Sequence, residues 1–99
     1  MERYKRLEES EIKIGNKIFI YDVNSLKNQV QKSIPKYKKT WPKYSDKDLE
    51  GLALKAIVTD ELKKQLGYKI SREIPIKILA PIIRKIGRET NLYILPDFE

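Results

Sequence analysis

The sequence predicts an α+β fold: an N-terminal β-hairpin, three helices and a short C-terminal strand in one compact domain over residues 1–99, with 1–10 able to form a mobile arm. Three observations carry this expectation. Period-2 apolar spacing flanks a Gly15-Asn16 pair, helix-period stripes follow capping residues, and no linker, repeat or low-complexity stretch divides the chain. A chain of 99 residues suits a single core that buries roughly 60–65% of the unfolded surface.

The hairpin comes first. Ile12 and Ile14 precede Gly15-Asn16, and Ile18 and Ile20 follow it, with Lys13, Lys17 and Phe19 between. A two-residue hairpin turn needs positive φ, which glycine accepts, so strands are expected at 11–14 and 17–21. Asp22, Asn24 or Ser25 can then cap a helix over 24–34, with Val23, Leu26, Val30 and Ile34 as its apolar stripe. Pro35 is expected to end that helix, because proline lacks an N–H and disfavours helix in the residue before it. The segment 35–45, PKYKKTWPKYS, then reads as a connector.

Ser45 and Asp48 fit a capping box that opens a helix over 46–66, and Gly67 is a natural stop. Leu49, Leu52, Ala53, Ala56, Ile57 and Leu66 supply its apolar positions, while Gly51 weakens it and Thr59-Asp60 could divide it. The region 68–80 admits two readings. Ile70, Ile74, Ile76 and Ile78 alternate like a strand that Pro75 would confine to an edge or a bulge, or else Ile76–Leu79 starts a helix. Pro81 suits the first position of a helix over 81–89, with Ile82, Ile83 and Ile86 inward. Leu92 to Leu95 reads as the closing strand.

Composition excludes several chemistries. With no cysteine and no histidine, there is no disulfide, no thiolate or imidazole metal site, no Cys nucleophile and no Ser–His triad. The apolar runs are far too short for a membrane span, and MERYKRLEES has no signal-peptide core. A soluble, intracellular, cytoplasmic protein is expected. Fourteen Ile stand against three Ala and three Val, and Lys and Glu dominate the charge. That is a hyperthermophile pattern, although an AT-rich genome would push codons the same way.

Charge segregation is the main functional clue. The net charge is +7, and Val23 to Ser45 holds six lysines (Lys27, Lys32, Lys36, Lys38, Lys39, Lys43) and no acid. The rest of the chain has 15 basic and 14 acidic residues. Lysines displace counterions from phosphates, and the interleaved Tyr37, Trp41 and Tyr44 could stack on bases. The competing reading makes Trp41 an anchor to the core and the lysines a solvated face. Arg84 and Arg88, four apart on the last helix, share a face opposite Ile82, Ile83 and Ile86 and could add phosphate contacts. They would equally suit the polar side of an amphipathic helix.

Carboxylates are the remaining catalytic candidates. Asp46, Asp48 and Glu50 open a helix, where the dipole favours negative charge, and Asp60-Glu61 sits beside Lys63-Lys64. Pro96-Asp97 resembles the start of a nuclease motif whose second half would need a later strand. The four glycines are isolated, so no phosphate-binding loop is present. A non-enzyme with no metal and no cofactor is expected.

In length, in Ile/Lys/Glu-rich composition and in style from Ile12-Lys13-Ile14 to the Ile74–Ile86 tract, the chain resembles the small proteins of filamentous viruses of Acidianus and their relatives in rod-shaped crenarchaeal viruses. The resemblance implies an extremely stable viral protein acting in the host cytoplasm. It carries over no site residues.

The leading expectation is non-catalytic nucleic-acid binding, with DNA favoured over RNA. Lys36, Lys38, Lys39 and Lys43 would meet phosphates, Tyr37 and Tyr44 would stack or pack, and Arg84 and Arg88 would add backbone contacts. The alternative is a protein–protein module, either a homodimer or a modulator of an acidic host protein. It would pair through strand edges at 11–21 and 92–95.

Overall fold

The computed structural model describes residues 9–67 and 74–99. The first eight residues of the expected arm, and the ambiguous segment 68–73 with Ile70, lie outside the described residues. The elements run β1 (Glu9–Ile14), β2 (Lys17–Asp22), α1 (Val23–Thr40), α2 (Asp46–Leu66), α3 (Ile76–Thr90) and a single 3-10 turn at Pro96–Phe98. This is an α+β arrangement of one antiparallel hairpin and three helices.

The hairpin turns at Gly15, whose φ of 63° is the positive value expected there. Its register pairs Ile14 with Lys17 and Ile12 with Phe19. A two-residue turn therefore puts even-numbered residues of β1 on the same face as odd-numbered residues of β2. The inward face of β2 is Phe19 and Tyr21, 0% and 4% exposed, while Ile18 and Ile20 point outward.

Helix α1 begins as expected, with Asp22 Oδ1 accepting from the Ser25 N–H at 2.9 Å. It does not stop at Pro35. The helix runs to Thr40, so only 41–45 connects it to α2. The proline removes the N–H that would have reached the Gln31 carbonyl. Gln31 and Pro35 both face solvent, so water can satisfy that carbonyl, and Leu26, Val30 and Tyr37 hold the inner face against the core.

Ser45 Oγ accepts from the Asp48 N–H at 3.2 Å, and α2 then runs unbroken through Thr59-Asp60 to its cap at Gly67. Leu49, Ala53, Leu54, Val58, Leu62 and Leu66 form its buried stripe. Leu52 and Ile57 are only half-buried and Ala56 is exposed. Helix α3 starts at Ile76, so the helical reading of 76–79 holds and Pro81 sits within the helix rather than at its start. As in α1, the proline and the residue four before it, Lys77, are both exposed.

Residues 92–95 are irregular, not a strand. The segment straps α2 to α3 across two glycines. A Cβ on Gly51 would lie 2.7 Å from Leu95 Cδ2 and 3.1 Å from Tyr93 Cδ2, and one on Gly87 would collide with Ile94. The Tyr93 N–H, which a strand would offer to a neighbour, donates to Glu50 Oε1 at 2.6 Å. Leu92 and Phe98 are buried at either end of the strap.

Candidate nucleic-acid interface

The α1–α2 connection forms one tip of the molecule. The hairpin lies at the other end of α2, where Lys17 Nζ donates to the Leu66 carbonyl at 2.8 Å. Twenty-one residues of α2 separate the two ends by about 30 Å. At the tip, Tyr37 and Trp41 meet edge to face with centroids 5.6 Å apart, and Trp41 and Tyr44 are tilted at 6.5 Å. Tyr37 packs on the core, but Trp41 is 45% and Tyr44 47% exposed. The core-anchor reading of Trp41 is therefore overturned.

The three rings and α2 enclose a groove of about 430 Å³ with Leu52 and Ala56 on its wall and Lys55, Thr59 and Asp60 along its side. This explains why Leu52 and Ala56 leave the core stripe. They line an apolar surface that faces out.

The six lysines of the acid-free stretch divide. Lys32, Lys36 and Lys39 recur at i, i+4 and i+7, so they form one row on α1, and all three are exposed. Lys43 is exposed in the connector. Lys38 points the other way: its Nζ donates to the Tyr44 carbonyl at 2.9 Å and lies 3.4 Å from Asp46 Oδ1. It closes the tip instead of presenting a free ammonium. Arg84 is half-buried and donates to the Phe98 carbonyl at 3.2 Å, and Arg88 is exposed one turn further on. The expected residues thus converge only in part. Lys36, Lys39, Lys43, Tyr37 and Tyr44 share the tip, while the arginines sit on α3.

Sequence reasoning missed a row on α2. Lys55, Thr59 and Lys63 recur every four residues, hence on one face, and all three line a second groove of about 540 Å³ with Ile74, Pro75, Ile76, Leu79 and Phe98. Lys55 Nζ stands 5.8 Å from the centre of the Phe98 ring. The Thr59 hydroxyl is buried with no hydrogen-bond partner. The i, i+4, i+8 spacing was the available signal, and Asp60 and Glu61 between the lysines obscured it.

The acidic residues at the start of α2 do not gather. Asp46 faces Lys38 and Glu50 holds the Tyr93 N–H, and among the described residues no group of acids is arranged to hold a metal ion. A contrasting charged cluster joins β2 to α3. Tyr21 Oη donates to Glu89, and Lys85 Nζ donates to both Tyr21 Oη and Glu89 Oε2 at 3.0 Å. Burial and the bond to Glu89 push the Tyr21 hydroxyl above its usual range. Lys85 is held above its ordinary value chiefly by its bond to Tyr21. Burial opposes ionisation of Glu89, but the bonds from Tyr21 and Lys85 outweigh it and hold the carboxyl low.

Among the described residues, no helix is long and apolar enough to cross a membrane. No protein-family model, curated protein or solved structure was found to match the chain.

Proposed function

We propose that this chain binds nucleic acid without catalysis, through the tip of the α1–α2 hairpin. The carrying observation is the exposure of Trp41 and Tyr44 beside an acid-free helix that presents Lys32, Lys36 and Lys39 as one row. Large aromatic rings are ordinarily placed where their apolar bodies are covered. Left half-exposed next to a row of cations, they suit a ligand that is anionic along its length and flat in its parts. Lys43 in the connector and Lys55 beside the groove extend the positive surface. Origin in a crenarchaeal filamentous or rod-shaped virus belongs to the same reading and is supported by length and composition.

The test is fluorescence anisotropy of labelled single- and double-stranded DNA at two salt concentrations. With about four phosphate contacts, affinity falls on the order of 100-fold between about 50 and 200 mM salt. Reversing charge at Lys36 and Lys39 removes most of the affinity. Absence of binding at the lower salt overturns the reading.

A second reading, a homodimer or a module for an acidic protein partner, is supported by Ile18 and Ile20, which are 46% and 48% exposed on the outer hairpin face. Edge pairing through β2 is closed at Ile20, whose N–H and carbonyl are both taken by the Gln65 amide at 2.9 and 2.6 Å. Such a partner would use the isoleucine face or β1. Mass that rises with concentration, and is restored to the monomer by Ile18→Lys with Ile20→Lys, would favour it.

A further inference from the structure

We propose that the aromatic groove is a subsite for an unpaired nucleobase, and that the strand carrying that base runs its backbone along Lys55, Thr59 and Lys63 toward the start of α3. The inference rests on the nucleic-acid reading above and narrows it to single strands.

Three features support the base subsite. The groove falls within the ~300–1,000 Å³ range of clefts that take small planar ligands, and its walls are rings and short aliphatic side chains. Neither contact of Trp41 with its tyrosine neighbours is a parallel stack, so indole surface remains for a flat heterocycle. Base-on-aromatic stacking tolerates any base, since each has a π-face. A duplex cannot use the groove, because its bases are covered by their neighbours. It would meet only the lysine row of α1.

The backbone path follows from continuity. Lys55 and Thr59 line both grooves and Lys63 lines the second, so one row of α2 connects the aromatic tip to the start of α3. Lys55 and Lys63 are about 12 Å apart along the helix, a span that successive phosphates of an extended strand can follow. Asp60 lines the first groove and not the second.

The experiment compares oligothymidylate with a duplex of equal length, using the intact chain. Trp41 is the single tryptophan, so its own fluorescence reports the subsite: oligothymidylate quenches it and the duplex does not. In anisotropy, Trp41→Ala weakens oligothymidylate by about 5- to 160-fold, the range of one stacked base, and leaves the duplex within about 3-fold since its phosphate contacts are untouched. Trp41→Phe retains most of the single-strand affinity, which separates stacking from a folding defect. Lys55→Gln with Lys63→Gln lowers the salt dependence for the single strand alone. If Trp41→Ala weakens neither ligand, or both equally, the subsite is wrong while binding by the basic tip stands. If the unaltered protein binds neither ligand at low salt, the nucleic-acid reading itself falls, and the subsite with it.

Discussion

The two ends of the molecule are built from the same parts and use them in opposite ways. At the hairpin end, Tyr21, Lys85 and Glu89 satisfy one another, and the ammonium sits 5.6 Å from the centre of the Tyr21 ring. At the tip, Tyr37, Trp41 and Tyr44 stand beside Lys36, Lys39 and Lys43 with the rings half-open to solvent. The difference is a carboxylate within reach. Glu89 lies one helical turn from Lys85 and closes the first cluster into a tie between β2 and α3. The acid-free stretch supplies none to the second, where the nearby acids come from α2: Asp46, which takes Lys38, and Asp60, which lines the groove beside the rings. Aromatic and lysine side chains together indicate a site only where nothing in the chain already answers them.

The largest expected effect separates the two ends by stability. Phe19 is 0% exposed and packs against Tyr21 with centroids 5.5 Å apart. Phe19→Ala costs about 3–5 kcal/mol by loss of burial and the cavity it leaves. Trp41→Ala, at a position nearly half open, costs about 1 kcal/mol or less. Guanidinium denaturation of both variants checks this. Equal losses would mean that the tip is as much core as the hairpin.

How far the sequence reaches follows the same division. Features decided within a few residues were legible: the Gly15 turn, the Asp22 and Ser45 caps and the Gly67 stop all depend on local backbone chemistry. Pro35 and Pro81 were not, because each proline and the residue four before it face water, where hydration of the abandoned carbonyl lowers the cost of a proline inside the helix. The strand reading of 92–95 failed because the destination of Tyr93's N–H, the Glu50 side chain, is fixed by packing 43 residues away. For the candidate site, charge segregation pointed to the tip of the α1–α2 hairpin. It could not show that Lys38 is consumed by the turn, that Trp41 faces out, or that α2 supplies Lys55, Thr59 and Lys63.

An intermediate effect tests whether the hairpin-end cluster is a tie. Glu89→Gln replaces the charged acceptor shared by Tyr21 and Lys85 with a neutral amide and costs about 1 kcal/mol near neutral pH. The pH dependence follows from the signs. Glu89 has a lowered folded pKa, so its contribution is present above the ordinary carboxylate range and is lost as pH falls through the lowered value. Lys85 and Tyr21 have raised folded values, so theirs is present at neutral pH and is lost as pH rises through those values. Denaturant midpoints across pH should therefore decline at both extremes, and Glu89→Gln should flatten the acid limb. Trp41→Ala should leave the profile's shape unchanged, which keeps the titration at one end.

The smallest effect on stability is expected where the effect on binding is most specific. Lys36 and Lys39 are exposed on α1, and replacing both by glutamine should move the denaturation midpoint by no more than the roughly 0.5 kcal/mol typical of surface sites. Relief of like-charge crowding along the row with Lys32 could make even that small change a gain. In binding, the same double variant should lower the slope of log affinity against log salt by about 1.4–1.8, two phosphate contacts' worth. Lys38→Gln should do the reverse, because its ammonium holds the Tyr44 carbonyl and Asp46. It should loosen the tip and shift the midpoint while leaving the slope nearly as it was. If Lys38 instead changes the slope as much as Lys36 and Lys39 do, its ammonium leaves the turn to meet phosphate. The closed and open clusters would then differ by how easily a ligand exchanges with an internal acceptor, rather than by whether such an acceptor exists.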